Sequence, residues 1–119
     1  MYDITKKKIV LFYQFINNML TEKDFCDNDT YTALCELGIS HTYVRCLMDK
    51  GKLVIHLYDA QKWLREEKGI IVGIINNFTI RAFNWYVSTW EEDLCRGDKY
   101  VSYEEALAEG IKEALNTLK

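Results

Sequence analysis

Two histidines and four cysteines are the residues whose side chains could bind a metal ion. They are His41, His56, Cys26, Cys35, Cys46 and Cys95. A structural zinc site usually takes two ligands from one loop or helix turn, a few residues apart. No pair here has the two- or four-residue spacing that such a turn needs. The sequence therefore predicts no metal site.

Nucleophilic catalysis is the second chemistry that these side chains could support. Cys35 lies near His41 in the sequence, so a contact between a thiolate and an imidazole is conceivable. Nothing supplies an oxyanion hole or a group that would orient the imidazole. The six glycines stand singly, in neither a GxGxxG nor a Walker sequence, so a phosphate cradle is missing too. We expect no enzyme activity and no cofactor.

Aromatic residues beside an acidic segment form the third candidate site. The candidate binding residues are three aromatic rings, one cation and two carboxylates: Phe83, Tyr86, Trp90, Arg81, Glu91 and Glu92. Tyr, Trp and Arg contribute much of the contact free energy at protein interfaces. This set predicts a surface for a protein partner, with a second copy of the chain as one option. The alternative is that the first predicted helix covers these rings and makes a three-layer core.

The composition predicts a single folded domain over residues 1–119. Hydrophobic residues make up 49% of the chain and aromatic residues 13%, which is enough to build one core. A formal charge of −3 argues against a nucleic-acid partner, because affinity for phosphate backbones comes from clustered Lys and Arg. The apolar run IVLFYQFI is too short to cross a membrane. We expect a cytoplasmic protein whose cysteines are small, buried thiols.

The residue pattern predicts an α+β fold with a small antiparallel sheet. The strands are a hairpin over about 42–58 and two further strands over about 70–76 and 84–92, and the helices cover about 5–20, 30–37, 59–68 and 102–118. Asp59 is the expected cap of the third helix, and Ser102 with Glu105 forms a capping box for the last. Residues 91–99 are predicted to be a polar loop.

Residues 33–48 have a second interpretation, as a helix-turn-helix that binds DNA. Leu34, Gly38 and Val44 have the spacing of two short helices around a glycine turn. The exposed side of the second helix would present Arg45 as its one permanently charged cation. A single cation provides few contacts to the phosphate backbone of DNA.

A hairpin is the interpretation that we favour for the second half of this segment. With Lys50-Gly51 as a two-residue turn, Cys46 faces Ile55 and Val44 faces Leu57 on a wholly apolar side. We expect that side to pack on the core.

Two segments in the second half of the chain carry a family resemblance. They are DAQKWLREEKGI at 59–70 and YVSYEEALAEGIKEALNTL at 100–118. Both resemble a group of small uncharacterised proteins encoded by gut Bacteroidetes and their phages, which combine a "WLRE" helix, an aromatic sheet and a closing "YEEAL" helix. The resemblance covers roughly the last half and implies origin and fold more than activity. It favours a non-enzymatic accessory protein that binds another protein; the alternatives are the DNA-binding regulator and a phage anti-defence protein that captures a host factor or nucleotide signal.

Overall fold

The computed structural model describes residues 22–47 and 51–119. The predicted helix over about 5–20 lies outside these residues, and so do positions 48–50 of the predicted hairpin turn. The described part has three α-helices and two antiparallel sheets, one of two strands and one of three. The predicted α+β class is confirmed, although the strands form two sheets rather than one.

The three helices begin and end close to the predicted positions. They are α1 (Asn28–Glu36), α2 (Leu57–Lys68) and α3 (Tyr103–Thr117). The Asp27 carboxylate caps α1 by accepting from the Thr30 N–H, and Ser102 Oγ caps α3 by accepting from the Glu105 N–H. Gly69 ends α2 in the left-handed conformation, with φ of 66°. None of the helices in the described residues is long and apolar enough to cross a bilayer.

The start of α2 differs from the prediction. His56 caps this helix because its Nδ1 accepts from the Tyr58 N–H at 3.1 Å. Asp59 lies instead inside the first turn, where it accepts from Arg45 Nε at 3.4 Å. Histidine is not among the common cap residues, so the sequence rules place the helix start at the nearest aspartate.

The predicted hairpin is confirmed, but its register is wrong by two residues. β1 (Val44–Leu47) pairs with β2 (Lys52–Ile55), and Cys46 lies opposite Leu53 rather than Ile55. Since the error is an even number of residues, each side chain keeps its predicted face. β2 ends at Ile55 because α2 begins two residues later. The extended backbone over 44–47 also leaves no second helix for a helix-turn-helix.

Side chains of β2 in the hairpin become more buried with increasing distance from the turn. The face of the hairpin on which a side chain lies does not decide its burial. On the side predicted to pack on the core, Ile55 is fully buried, but Leu53 is 54% exposed and Cys46 is exposed. Val54 lies on the opposite side and is nevertheless buried. The base of the hairpin is held by the Cys26 N–H, which donates to the Ile55 carbonyl at 2.8 Å. The prediction of one core face was therefore wrong, because only the base of the hairpin reaches the core.

The second sheet has the order β3-β4-β5. Its strands are β3 (Ile71–Asn77), β4 (Ala82–Ser88) and β5 (Asp93–Tyr100), each antiparallel to its neighbour. The strand predicted over 84–92 begins at Ala82 and ends at Ser88, since Thr89 Oγ1 accepts from the backbone N–H groups of Glu91 and Glu92 and closes a turn.

β5 was predicted to be a loop, and this prediction was wrong. The composition of β5 is rich in charged residues, as that of a loop often is. β5 can carry these charges because it is an edge strand, where charged side chains remain in solvent. Two register shifts in its pairing with β4, between Phe83 and Trp85 and between Val87 and Ser88, also break the strict alternation of side chains that predicts a strand.

Helix α3 covers one face of this sheet, which we call the inner face. Val72, Trp85 and Val87 point from the inner face toward Leu107 and Ile111 of α3, and all five side chains are buried. The helix approaches closely at Gly110, where an added Cβ would lie 2.7 Å from Cγ1 of Val72. Helix α2 packs beside α3 and contributes Trp63 and Leu64 to the same core, as predicted.

Candidate functional site

The predicted binding residues lie at several separate places in the structure. Arg81 is in the turn between β3 and β4, whereas Trp90, Glu91 and Glu92 are in the turn between β4 and β5. These turns lie at opposite ends of β4. β4 spans Ala82–Ser88, so at about 3.3 Å per residue its two ends lie about 20 Å apart. The structure therefore does not bring the predicted cation and the predicted carboxylates together.

Phe83 and Tyr86 lie on opposite faces of the sheet. The Phe83 ring makes an edge contact with the Tyr103 ring of α3, with 6.0 Å between the ring centroids. Phe83 is thus on the inner face with Trp85, two residues away. Tyr86 is an odd number of residues from both and lies on the opposite face, which we call the outer face. Of the six predicted binding residues, Tyr86 alone lies on the outer face of the sheet.

A glycine on a neighbouring strand receives the ring of Tyr86. Gly73 of β3 pairs with Tyr86, and the ring fills the space that a Cβ on this glycine would occupy. The inner face repeats the arrangement, because the Trp85 ring lies over Gly97 of β5. A ring placed over a strand glycine shields backbone that has no side chain of its own. The absence of a side chain at Gly73 therefore leaves the space over β3 that the Tyr86 ring occupies.

Arg96 is the cation that lies beside Tyr86. It stands opposite Tyr86 in the pairing of β5 with β4, and its Nη2 contacts the Asp93 carboxylate at 3.1 Å. Both side chains are largely exposed, at 75% for Arg96 and 69% for Asp93, so the pair can reorganise when a ligand approaches. The sequence reasoning missed Arg96 because it placed this segment in a loop. The available signal was Gly97, which follows Cys95 and Arg96 in the sequence. A glycine inside a strand often marks a place where another group approaches the backbone closely.

A groove of about 650 Å³ runs along this part of the sheet. Ile75, Asn84, Tyr86, Arg96 and Asp98 line it with side chains from three adjacent strands. Its volume is in the usual range of a ligand pocket. The lining combines an aliphatic side chain, an aromatic ring, an amide and both signs of charge. Such a surface can stack on an apolar group and form an ion pair at the same time.

The described side chains offer little for bond-making chemistry. Within residues 22–47 and 51–119, no three His, Cys, Asp or Glu side chains come together as a metal site would require. Burial, with a smaller contribution from the nearby Asp27 carboxylate, raises the pKa of the Cys26 thiol to about 12. This thiol is protonated at neutral pH and is therefore a poor nucleophile.

The four cysteines were predicted to be buried, and this is correct only for Cys26. Cys35 and Cys46 are exposed and Cys95 is half-buried. All four are free thiols. Exposure of Cys35 follows from its position on the solvent side of α1, and exposure of Cys46 follows from the hairpin, where only the base reaches the core.

Comparison with known proteins gives no match to a family model, to a curated protein or to a solved structure. The resemblance to small proteins of gut Bacteroidetes and their phages is therefore still a prediction from two sequence segments.

Proposed function

We propose that this chain is a non-enzymatic binding module that attaches to another protein through the outer face of its three-stranded sheet. The observation that carries this proposal is the groove itself, in which the Tyr86 ring lies over Gly73 of β3 and Arg96 stands opposite Tyr86 on β5. Tyrosine and arginine in one groove are among the residue types that dominate the binding free energy of protein interfaces.

The groove favours a partner of particular chemistry. Tyr86 offers a face for an apolar or aromatic side chain, while Asp98 and the Asp93 of the ion pair supply two carboxylates against the one guanidinium of Arg96. The surplus of negative charge favours a cationic residue in the partner. We therefore expect a peptide segment with one large apolar side chain and one Lys or Arg close to it.

The other functions considered from the sequence receive less support. A DNA-binding regulator needs a second helix after Gly38, and the chain is extended over Val44–Leu47. A phage protein that captures a host factor would use the same groove and is a special case of this proposal. Bacterial or phage origin and a cytoplasmic location are parts of the proposal that rest on the sequence alone.

Selection of peptides on the immobilised full chain tests the proposal. Peptides from a random display library are selected on the wild-type protein and then measured in solution by fluorescence polarisation. Tyr86→Ala should weaken the selected peptides at least about tenfold, because loss of a central aromatic contact commonly costs 2 kcal/mol or more. Arg96→Ala should shift the preferred peptides toward more basic sequences, since it leaves the carboxylates unopposed.

Trp90→Ala is the matched control for this experiment. Trp90 is an aromatic residue of the turn between β4 and β5, 77% exposed, and it lies outside the groove lining. Its removal should leave peptide binding unchanged. If Trp90→Ala abolishes binding and Tyr86→Ala does not, the turn after β4 is the binding site and the groove proposal is rejected.

A further inference from the structure

The two edge strands of the three-stranded sheet differ in their protection against pairing with other strands. β5 presents Asp93, Arg96 and Asp98 and is interrupted by two register shifts against β4. β3 has no charged residue and no proline, and its register with β4 is unbroken over Ile71–Asn77. Charges, bulges and prolines are the usual means of protecting an edge. β3 has none of them and is suited to accept another strand.

A hydrogen bond from helix α2 shows which backbone groups of β3 face its open edge. Gln61 Nε2 donates to the Val72 carbonyl at 2.6 Å, so this carbonyl points away from β4. In an antiparallel pair, alternate residues direct both backbone groups to the same side. Ile74 and Asn76 therefore direct their N–H and C=O groups toward the open edge. In the described part of the chain, no strand pairs with that edge.

We infer that β3 pairs antiparallel with β3 of a second copy of this chain, about a two-fold axis at Ile75. In this register, Ile74 of one protomer lies opposite Asn76 of its partner, and the two such pairs exchange about four backbone hydrogen bonds. The two Ile75 side chains meet on the outer face, with their Cβ atoms about 5 Å apart. Two three-stranded sheets then become one sheet of six strands.

The exposed side chains near this edge favour a second copy over an unrelated strand. Ile75 is 55% exposed, and the self-paired register covers it with an identical residue. Phe78 follows β3 and is 84% exposed. Antiparallel pairing about Ile75 brings Phe78 beside position 72 of the partner protomer, where helix α2 begins to cover the edge. A strand without a helix beside its start would leave this ring in solvent.

The interface should be weak and concentration-dependent. Stable protein interfaces bury about 1,200–2,000 Å², and one short strand pair with two flanking apolar side chains covers less than that. Two copies of one surface patch related by a two-fold axis still form a closed dimer and not a fibre. The backbone of β3 carries this inference independently of the peptide proposed for the groove, although Ile75 belongs to both the groove lining and the dimer axis.

Sedimentation velocity of the full chain tests the inference. The mass should rise from 14.0 kDa toward twice that value as the concentration increases from about 10 µM to about 1 mM. Ile75→Lys and Ile75→Glu should each weaken the dimer at least about tenfold, because each places like charges opposite one another at the axis. An equal mixture of the two variants should restore dimers, since Lys then faces Glu. Only a register that sets position 75 against itself predicts this recovery.

Two further variants serve as controls. Leu53→Lys alters a strand residue with nearly the same exposure, 54%, in the other sheet, and it should leave the dimer intact. Asn76→Pro removes an N–H that points away from β4, so the monomer should keep its circular dichroism spectrum and lose the dimer. A chain that stays monomeric at 1 mM overturns the inference, and so does a dimer that persists in both Ile75→Lys and Asn76→Pro or fails to re-form in the mixture.

Discussion

The two antiparallel sheets of this protein have similar strands but very different surroundings. In the described part of the chain, helices cover the β1–β2 hairpin near its base, where Val54 and Ile55 are buried, while Leu53 nearer the turn is exposed. The three-stranded sheet has α3 across its whole inner face, and there Val72, Trp85 and Val87 are buried. Strand pairing alone therefore does not make a core in this protein. A helix on one face of the sheet does, because it removes the apolar side chains from water.

A short segment before α1 joins these two regions. The Cys26 N–H donates to Ile55 at the base of the hairpin, and the next residue, Asp27, contacts Lys112 Nζ of α3 at 2.9 Å. Through this segment the hairpin is linked to α3 by a backbone hydrogen bond and an ion pair, and among the described residues Arg45 of β1 also forms an ion pair with Asp59 of α2. We expect the hairpin to contribute less to global stability than the three-stranded sheet does.

Side-chain truncation in each sheet should give the largest difference. Trp85→Ala should lower the free energy of unfolding by about 3–5 kcal/mol, because it removes a buried ring from the core. Leu53→Ala in the hairpin should cost less than about 0.5 kcal/mol, since Leu53 is half exposed. Urea unfolding followed by fluorescence or circular dichroism measures both. Equal losses would contradict the difference between the two sheets.

Trp85→Phe is the conservative control for this measurement. Its ring can still lie over Gly97, and it lacks the Nε1–H, which is buried and has no hydrogen-bond partner among the described residues. An unsatisfied buried donor destabilises the folded state, so Trp85→Phe should cost much less than Trp85→Ala.

Replacing glycine by alanine should lower the free energy of unfolding by an intermediate amount. The physical cause differs between helix α3 and the hairpin. Gly110→Ala should destabilise the protein by about 1–3 kcal/mol, because its Cβ would lie 2.7 Å from Val72 Cγ1. Alanine normally stabilises a helix relative to glycine by about 1 kcal/mol, so the crowding reverses the usual sign. In the hairpin, Gly51→Ala should cost about 1–2 kcal/mol for another reason, its φ of +60°.

Second substitutions separate these two causes. Val72→Ala removes the crowding methyl and should reduce the cost of Gly110→Ala, which a double-mutant cycle measures. Gly51→Asn should be milder than Gly51→Ala, because asparagine tolerates the left-handed region. If Gly110→Ala stabilises the wild-type protein, the close packing of α3 on the sheet is incorrect.

The ion pair at Asp27 should have the smallest effect, and this effect depends on pH. Its contact with Lys112 and, second, the hydrogen bond from the Thr30 N–H lower the pKa of Asp27 from 3.8 to about 2. Because the folded-state pKa is lowered, this stabilisation is present above about pH 4 and is lost as the pH falls toward 2. It should be below about 1 kcal/mol, since both side chains of the pair are about half exposed.

Two substitutions distinguish the charge of Asp27 from its role as a helix cap. Asp27→Asn keeps a good cap for α1 and should flatten the change in thermal stability between pH 2 and 4. Asp27→Ala should lose the cap as well, with a further loss that does not vary with pH. An unchanged acid profile in Asp27→Asn would mean that the Lys112 contact does not stabilise the fold.

The sequence predicted those features of the structure that depend on neighbouring residues, such as helix caps, helix ends and the buried side of a helix. The cap at Ser102, the stop at Gly69 and the inward position of Trp63 follow from residue type and helical spacing. The cap at His56 was missed because its role depends on the chain leaving a strand and entering a helix at that residue. In the groove, Tyr86 was predicted, whereas Arg96 required knowledge that β5 is a strand.

The amino-acid order by itself determined the three helices of the described residues and the existence of the hairpin, because these depend on periods of about 3.6 and of two residues. Tertiary structure alone decided which faces are covered, since burial depends on where α3 lies. It also placed Arg96 opposite Tyr86 on the neighbouring strand and, within the described residues, left one edge of β3 without a paired strand, while Gln61 contacts the start of that edge. These contacts join residues from separate strands and helices, and no local pattern in the chain specifies them.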